Sequence, residues 1–464
     1  MKALLLACGA SFLAFLDATI TNLAVPSLAG DFHASVTSLS WVVTLYTILF
    51  AAFLAPSGRL ADTIGRTRLF ATGATGFTLA SLLAAVAPTF AVLLVARGIQ
   101  GVSAALLIPA SLALVLADTP APKRPAAIGL WSASAALAAA AGPALGGVLV
   151  DAFGWRSLFC INLPVGAWLA WRAALLPRTR RTNTTVPDAL GAVLVATAVG
   201  LLVLGVTEGP RWGWTDTATV ACLIGSVAVG GVALLRASRH PTPALEVDLW
   251  RNRTYAAANV ISVVFGGALY ASLLLGVLFL VDVWGYSELQ AGLAMTPGAI
   301  ASASVGIAIG RSARKPSASA LVGTGSLILA ATSAALAVAL PDHAAFLTAW
   351  LPGGIGLGIG IGAVSVGVST AAAMSVSPSR FAAATGLNIA ARQVGGALGV
   401  AVLAAILAGR GAHAGVRPFL DVYWLMAGLS LFAAFAGLRL RPATDGSGRQ
   451  RAAAPAPATA RVGQ

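Results

Sequence analysis

The chain has 464 residues, of which 58% are hydrophobic and only 9% charged, with a formal net charge of +14. A soluble globular domain carries about 25% charged residues, so this composition excludes an ordinary water-soluble enzyme or binding domain. The basic residues sit in short stretches between apolar runs; that leaves no basic face for nucleic acid and points to membrane topology.

The first apolar run follows Lys2 and continues past Cys8 for some twenty residues. A signal peptide has an apolar core of about 7–15 residues, so this run reads as a membrane span. Further runs of spanning length follow in order: fourteen in all, near 4–29, 40–58, 69–87, 90–116, 126–150, 157–176, 189–207, 217–235, 256–281, 290–310, 317–340, 344–373, 381–408 and 421–439. None alternates as a barrel strand would. Backbone hydrogen bonds must close within each segment in lipid, so the runs predict helices.

The charges test that count. With the N-terminus placed in the cytoplasm, nearly all Lys and Arg fall in alternate, inner connections, among them Arg59, Arg66, Arg68, Lys123, Arg124, Arg178, Arg180, Arg181, Arg251, Arg253, Arg314, Lys315 and Arg380. The outer connections hold Arg156, Arg211, Arg410 and Arg417. This skew follows the positive-inside rule, and removing one span would reverse it for every later connection. It predicts a multi-pass protein of the cell (plasma or inner) membrane with both termini cytoplasmic.

The two ends of the chain carry related signals. The second span ends in Gly58-Arg59 and the tenth in Gly310-Arg311; the fifth carries Gly142 and Gly146, and the thirteenth Gly395 and Gly399. Paired repeats are the usual plan of secondary transporters. The expected organisation is a six-helix bundle over 1–180, a two-helix insert over 181–240, a second six-helix bundle over 241–440, and a disordered cytoplasmic tail over 441–464.

The densest motif is the connection from Gly58 to Arg68, with Arg59, Asp62, Gly65 and Arg66 between. Read as a loop, it reverses at its glycines and pairs its charges across the inner face. Here the sequence resembles the major facilitator superfamily, whose signature at this place is GxLaDrxGrkxxl. Three further segments resemble its fourteen-span drug:proton antiporter branch. They are Leu16-Asp17-Ala18-Thr19-Ile20-Thr21-Asn22, Arg97-Gly98-Ile99-Gln100-Gly101, and the antiporter motif Gly142-Pro143-Ala144-Leu145-Gly146-Gly147. One departure is Ala138, where the family often carries another glycine. The resemblance runs from about residue 10 to residue 440. It implies two pseudo-symmetric six-helix bundles plus two extra helices, no cofactor, small-molecule substrate and protons as partners in a lipid bilayer, and a monomer as the working unit.

Asp17 is the one acid deep inside a run. An ionised carboxylate is costly there, and such acids are functional candidates by default. Arg97 lies in the outer half of the fourth span. The resemblance places both toward the central cavity as the proton-coupling pair; the competing reading is a permanent ion pair that serves packing. Asn22, Gln100, Asn388, Arg392 and Gln393 are the expected substrate-cavity residues.

The glycines from Gly353 to Gly362 lack nucleotide-loop spacing and predict close helix packing. No lysine follows a glycine, which excludes a P-loop, and neither GxSxG nor HExxH occurs, so no ATPase or hydrolase chemistry is expected. Cys8, Cys160 and Cys222 have no CxxC partner, and the four histidines are far apart, so neither a disulfide framework nor a metal site is expected. The leading expectation is a proton-coupled efflux antiporter of small amphipathic compounds such as drugs or antibiotics. A proton symporter of a small metabolite and a non-transporting membrane sensor of the same fold are the alternatives.

Overall fold

The computed structural model describes residues 2–21, 28, 31–32, 41–176, 188–312, 316–409 and 416–440. Its long elements are all helices: α1 Lys2–Ile20, α2 Trp41–Ile64, α3 Arg66–Ala85, α4 Phe90–Asp118, α5 Arg124–Phe153, α6 Ser157–Cys160, α7 Asn162–Ala174, α8 Ala189–Trp212, α9 Thr217–Arg239, α10 Arg253–Leu278, α11 Glu288–Arg311, α12 Ala318–Ala339, α13 Leu351–Met374, α14 Phe381–Gly409 and α15 Arg417–Gly437. Among the described residues, 12 helices are long and apolar enough to cross a membrane. The 30-residue α5 adds length enough for another crossing. The sixth sequence run is interrupted at Ile161 into the short α6 and α7.

Helix ends are set by ordinary capping chemistry. Ser287 and Gln290 form a reciprocal capping box at the start of α11, and Asn252 accepts from the Thr254 and Tyr255 amides at the start of α10. At the start of α8, Asp188 accepts from the Gly191 amide at 2.9 Å and pairs with Arg236 of α9 at 2.8 Å. Burial alone would push the Asp188 carboxyl up, but the hydrogen bonds and charge of Arg236, with the Gly191 amide, hold it below the usual carboxylate range.

Packing is reciprocal. α5 lies on α1, and α14 lies on α10 in the same way; α2 crosses α14, and α5 crosses α11. Two copies of one bundle facing each other produce this pattern. Both crossings are made through small residues near the arginine-rich end. A Cβ on Gly129 of α5 would meet the Gly306 carbonyl of α11 at 2.7 Å, and one on Gly386 of α14 would meet the Leu54 carbonyl of α2 at 2.6 Å. Helices approach this closely only where a side chain is missing. The glycine run of α13 serves the same purpose: a Cβ on Gly362 would meet Ser302 of α11 at 2.5 Å, and one on Gly360 would meet Gly325 of α12 at 2.8 Å. α8 lies along the seam, in contact with both α2 and α14, whereas α9 packs chiefly on α8.

One sequence expectation is overturned. The segment Gly58 to Arg68 is not a loop: α2 runs through Ile64 and α3 begins at Arg66. The whole reversal falls on Gly65, at φ 108°, a conformation that side chains with a Cβ rarely adopt. Gly58 is therefore no turn residue. A Cβ there would overlap the Ala382 carbonyl of α14, so it is a contact point between the two sets of helices. The charges looked like loop charges because they sit on helix ends, where arginine side chains reach the interface. The proposed tail beyond 441 lies outside the described residues.

Candidate functional site

Asp17 is fully buried on α1, three residues before that helix ends at Ile20. Its Oδ2 accepts from Arg97 Nη1 at 2.6 Å, and its Oδ1 accepts from Asn162 Nδ2 at 2.7 Å and Gln100 Nε2 at 3.3 Å. Arg97 and Gln100 stand three residues apart on α4 and so share a face; Arg97 Nη1 also donates to Gln100 Oε1 at 2.9 Å. Arg97 Nε donates to the Val42 carbonyl of α2 at 2.8 Å, and the guanidinium lies 4.4 Å from the centre of the Tyr46 ring. Tyr46 is placed by Gly101 of α4, where a Cβ would meet the Tyr46 carbonyl at 2.6 Å. Ser81 of α3 completes the cluster by accepting from Gln100 Nε2 at 2.8 Å.

Five helices thus close around one carboxylate and one guanidinium, both with 0% side-chain exposure. Hydrogen bonds to the remaining donors and acceptors offset the cost of burying such a pair, and most are made. Two are not: Arg97 Nη2 and Asn162 Oδ1 are buried without a partner among the described residues. The sequence expectation joined Asp17 to Arg97 but placed Gln100 beside the substrate. The structure places Gln100 in the Asp17 cluster, bonded to Asp17, Arg97 and Ser81. Ser81, Tyr46 and Asn162 were missed; the available signal was a lone polar side chain in an otherwise apolar run, strongest for Asn162.

A second cluster lies on α10, α13 and α14. Asn388 Nδ2 donates to Ser262 Oγ at 2.8 Å, Tyr270 donates to Gln393 Oε1, and Arg392 Nη1 reaches Ser365 Oγ at 3.5 Å. Asn388 and Arg392 are one turn apart on α14. The structure therefore groups Asn388, Arg392 and Gln393 but separates them from Gln100. Asn22 lies outside the described residues.

At the arginine-rich end, Asp62 joins the two sets of helices. Its Oδ1 accepts from Arg66 Nε and Nη2 at 3.0 and 2.8 Å, while its Oδ2 accepts from the Ala383 amide, in the first turn of α14, at 2.8 Å. A carboxylate is stabilised at a helix N-terminus, where amides point outward and the dipole is positive. Arg66 donates to the Pro378 carbonyl, and Arg59 pairs with Glu246, which also pairs with Arg380 at 3.2 Å. Arg68 is exposed. Glu246 and the Ala383 amide were not read from the sequence, and Arg380 was read only as an inner-face charge.

The antiporter-motif residues lie in α5. Gly142 is pressed against Thr19 of α1, Gly146 is buried, and Gly147 meets no neighbour. The Pro143 ring lies outside the described residues. Ala138 is fully buried where the resemblance calls for a glycine.

A sequence profile of the Major Facilitator Superfamily matches residues 7–400. Multidrug resistance protein Stp of Mycobacterium tuberculosis (strain CDC 1551 / Oshkosh) is 37% identical over 413 residues, covering 86% of this chain and 74% of its own. The probable actinorhodin transporter of Streptomyces coelicolor (strain ATCC BAA-471 / A3(2) / M145) is 34% identical, with 86% and 71% covered. Among solved structures, the human organic anion transporter MFSD10 aligns with a TM-score of 0.66 at 16% identity over 94% of this chain and 99% of that one, a likeness of fold.

Proposed function

The chain belongs to the Major Facilitator Superfamily, and on that footing we propose that it exports small amphipathic compounds by proton antiport. Its relatives are named for drug and antibiotic resistance and for export, which makes antibiotics the first substrates to try. Residues 1–180 and 241–440 act as the two moving bundles, with 181–240 as an insert, in a monomer of fourteen spans. The arginine-rich end is the cytoplasmic one, both termini lie on that side, and the membrane is the cell membrane.

The observation that carries proton coupling is the sealed Asp17 network. Asp17 and Arg97 are wholly buried while the opposite, arginine-rich end is latched by Asp62 and Glu246. A carboxylate that must lose or gain a proton has to leave this seal during the cycle. Asp17 and Arg97 both lie in residues 1–180, so rigid movement of one bundle against the other does not part them; the step is a shift of α1 against α4 within that bundle, which breaks the ion pair and opens the carboxylate to proton exchange. Each charge crossing the membrane is worth about 2.3 kcal/mol per 100 mV. Gly142 packs α5 against Thr19 of α1, so movement of α5 is passed to the helix that bears Asp17.

Purified protein in proteoliposomes with an imposed pH gradient tests the reading. Compounds are first chosen by the resistance they lose in cells stripped of other pumps. Addition of such a compound is expected to release protons, at a rate that collapses with the gradient. A compound that moves uphill with the gradient dissipated, or with no proton movement, overturns antiport.

Topology has its own test. Thr63 is buried and is a poor labelling site, whereas Ala121, in the connection between α4 and α5, and Asp216, in the connection between α8 and α9, are exposed. On a background lacking Cys8, Cys160 and Cys222, an impermeant thiol reagent applied to intact cells is expected to label Asp216→Cys and spare Ala121→Cys. The reverse pattern would invert the orientation.

A further inference from the structure

We infer that Arg392 is the recognition point for a single anionic group, of the carboxylate or sulfonate kind, on the exported compound. This inference rests on the efflux reading and names the substrate class of the same site.

Arg392 sits eleven residues into α14, roughly 16 Å along the helix at 1.5 Å per residue, and so close to the middle of a span about 30 Å thick. It is 8% exposed. A cation at that depth has no topological task, since topology is set by residues at span ends. The fully buried Arg97 and three part-buried arginines each have a carboxylate, while the part-buried Arg124 and Arg172, both near helix ends, rest otherwise: Arg124 donates to the Leu116 and Thr119 carbonyls, and both lie over aromatic rings. Arg97 has Asp17, Arg66 has Asp62, Arg59 has Glu246 and Arg236 has Asp188. Arg392 has none among the described residues. Its one hydrogen bond there is the 3.5 Å contact to Ser365 Oγ, at the long limit for such a bond.

A guanidinium offers five N–H donors in a plane and stays charged in proteins. Leaving it nearly out of water and without a counter-ion is a costly arrangement for a span. The geometry around it does not lower that cost from within: Asn388 is engaged with Ser262, and the Gln393 carbonyl oxygen accepts from Tyr270. The missing partner must be supplied from outside and must leave again in each cycle, which is what a transported ligand does. A planar fork of donors matches a carboxylate or sulfonate in two-point geometry. One cation without a partner specifies one anionic group; the surrounding apolar helices accept the rest of an amphipathic molecule.

The test uses full-length protein purified in dodecyl maltoside, with pyrenebutyrate and pyrenebutyramide as probes, equal in ring and chain and different in charge. Wild-type protein is expected to bind the carboxylate about tenfold or more tightly than the amide, as a charge-assisted pair requires. Arg392→Gln is expected to bring that ratio to about one, and Arg392→Lys to keep part of it. Equal binding of the two probes by the wild type, no binding of the carboxylate, or a ratio that survives in Arg392→Gln overturns the proposal. The wild-type ratio decides the matter even where a variant cannot be purified. An Arg392-dependent ratio without gradient-driven pyrenebutyrate flux in proteoliposomes upholds the anion site and overturns efflux. Proton-coupled export of a cationic dye with no carboxylate preference does the opposite.

Discussion

Asp17→Asn is expected to abolish accumulation of substrate against a gradient. It removes the one titrating group of the buried network, but it does a second thing that must be separated from the first. Arg97 would keep its charge with 0% exposure and lose its counter-ion. Breaking a buried pair from one side costs about 3–5 kcal/mol, enough to lower the amount of folded protein. The charge-neutral double variant Asp17→Asn/Arg97→Gln removes that penalty, since Gln100, Asn162 and Ser81 can hydrogen-bond neutral amides. The double variant is expected at near wild-type abundance, with downhill exchange of substrate retained and proton release lost. Asp17→Glu keeps the titration and is expected to keep partial activity. The measurement is substrate-induced proton release in proteoliposomes. Should the double variant still drive uphill transport at the wild-type proton stoichiometry, Asp17 is not the coupling group. Glu208, buried beside Arg211 at 2.9 Å, or Asp282 would then take its place.

The helices were legible because each must meet lipid along some of its length. A span therefore stays apolar nearly all round, and its length is fixed by the bilayer rather than by the fold. Thirteen of the fourteen runs overlap a helix or, at 157–176, a broken pair, and the first, 4–29, does so as far as Ile20, past which residues 22–27 lie outside the described ones. The break at Ile161 left no mark in hydropathy. Asp17 and Arg97 stood out because a charge in such a run is rare enough to signal itself. Their neighbours did not. Ser81, Tyr46 and Asn162 are ordinary residues one at a time, and their meaning lies in convergence from three helices, which no spacing along the chain encodes. The same is true of Arg392. Its charge was legible, but that no carboxylate among the described residues reaches it is a property of packing. The segment from Gly58 to Arg68 failed in the other direction. Glycine and charge together look like a loop, yet Gly58 serves a helix crossing and Asp62 serves a helix N-terminus across the seam, both set by a residue more than 300 positions away.

Replacement of Asp62 is expected to open the arginine-rich end, in two steps of different size. The carboxylate does two jobs with two oxygens: Oδ1 holds Arg66, and Oδ2 accepts the Ala383 amide of α14. Asp62→Asn keeps an oxygen for the amide but loses the charge that binds Arg66 and complements the helix dipole. Asp62→Ala loses both. A hydrogen bond to a charged group contributes about 1.5–3 kcal/mol, so loss of one shifts the ratio of open to closed molecules by roughly ten- to a hundredfold. Glu246 still joins Arg59 to Arg380, so neither variant frees the end entirely, and Asp62→Ala with Glu246→Gln should open it furthest. Spin labels on Ala121→Cys and Ser379→Cys, both exposed positions on opposite sides of the seam, report the distance by pulsed electron resonance. A long-distance population is expected to grow from wild type to Asp62→Asn to Asp62→Ala, with transport falling while membrane abundance stays near normal. Identical distance distributions in all three proteins would reduce Asp62 to an anchor of topology, because a latch whose removal leaves the two sides equally close was not holding them.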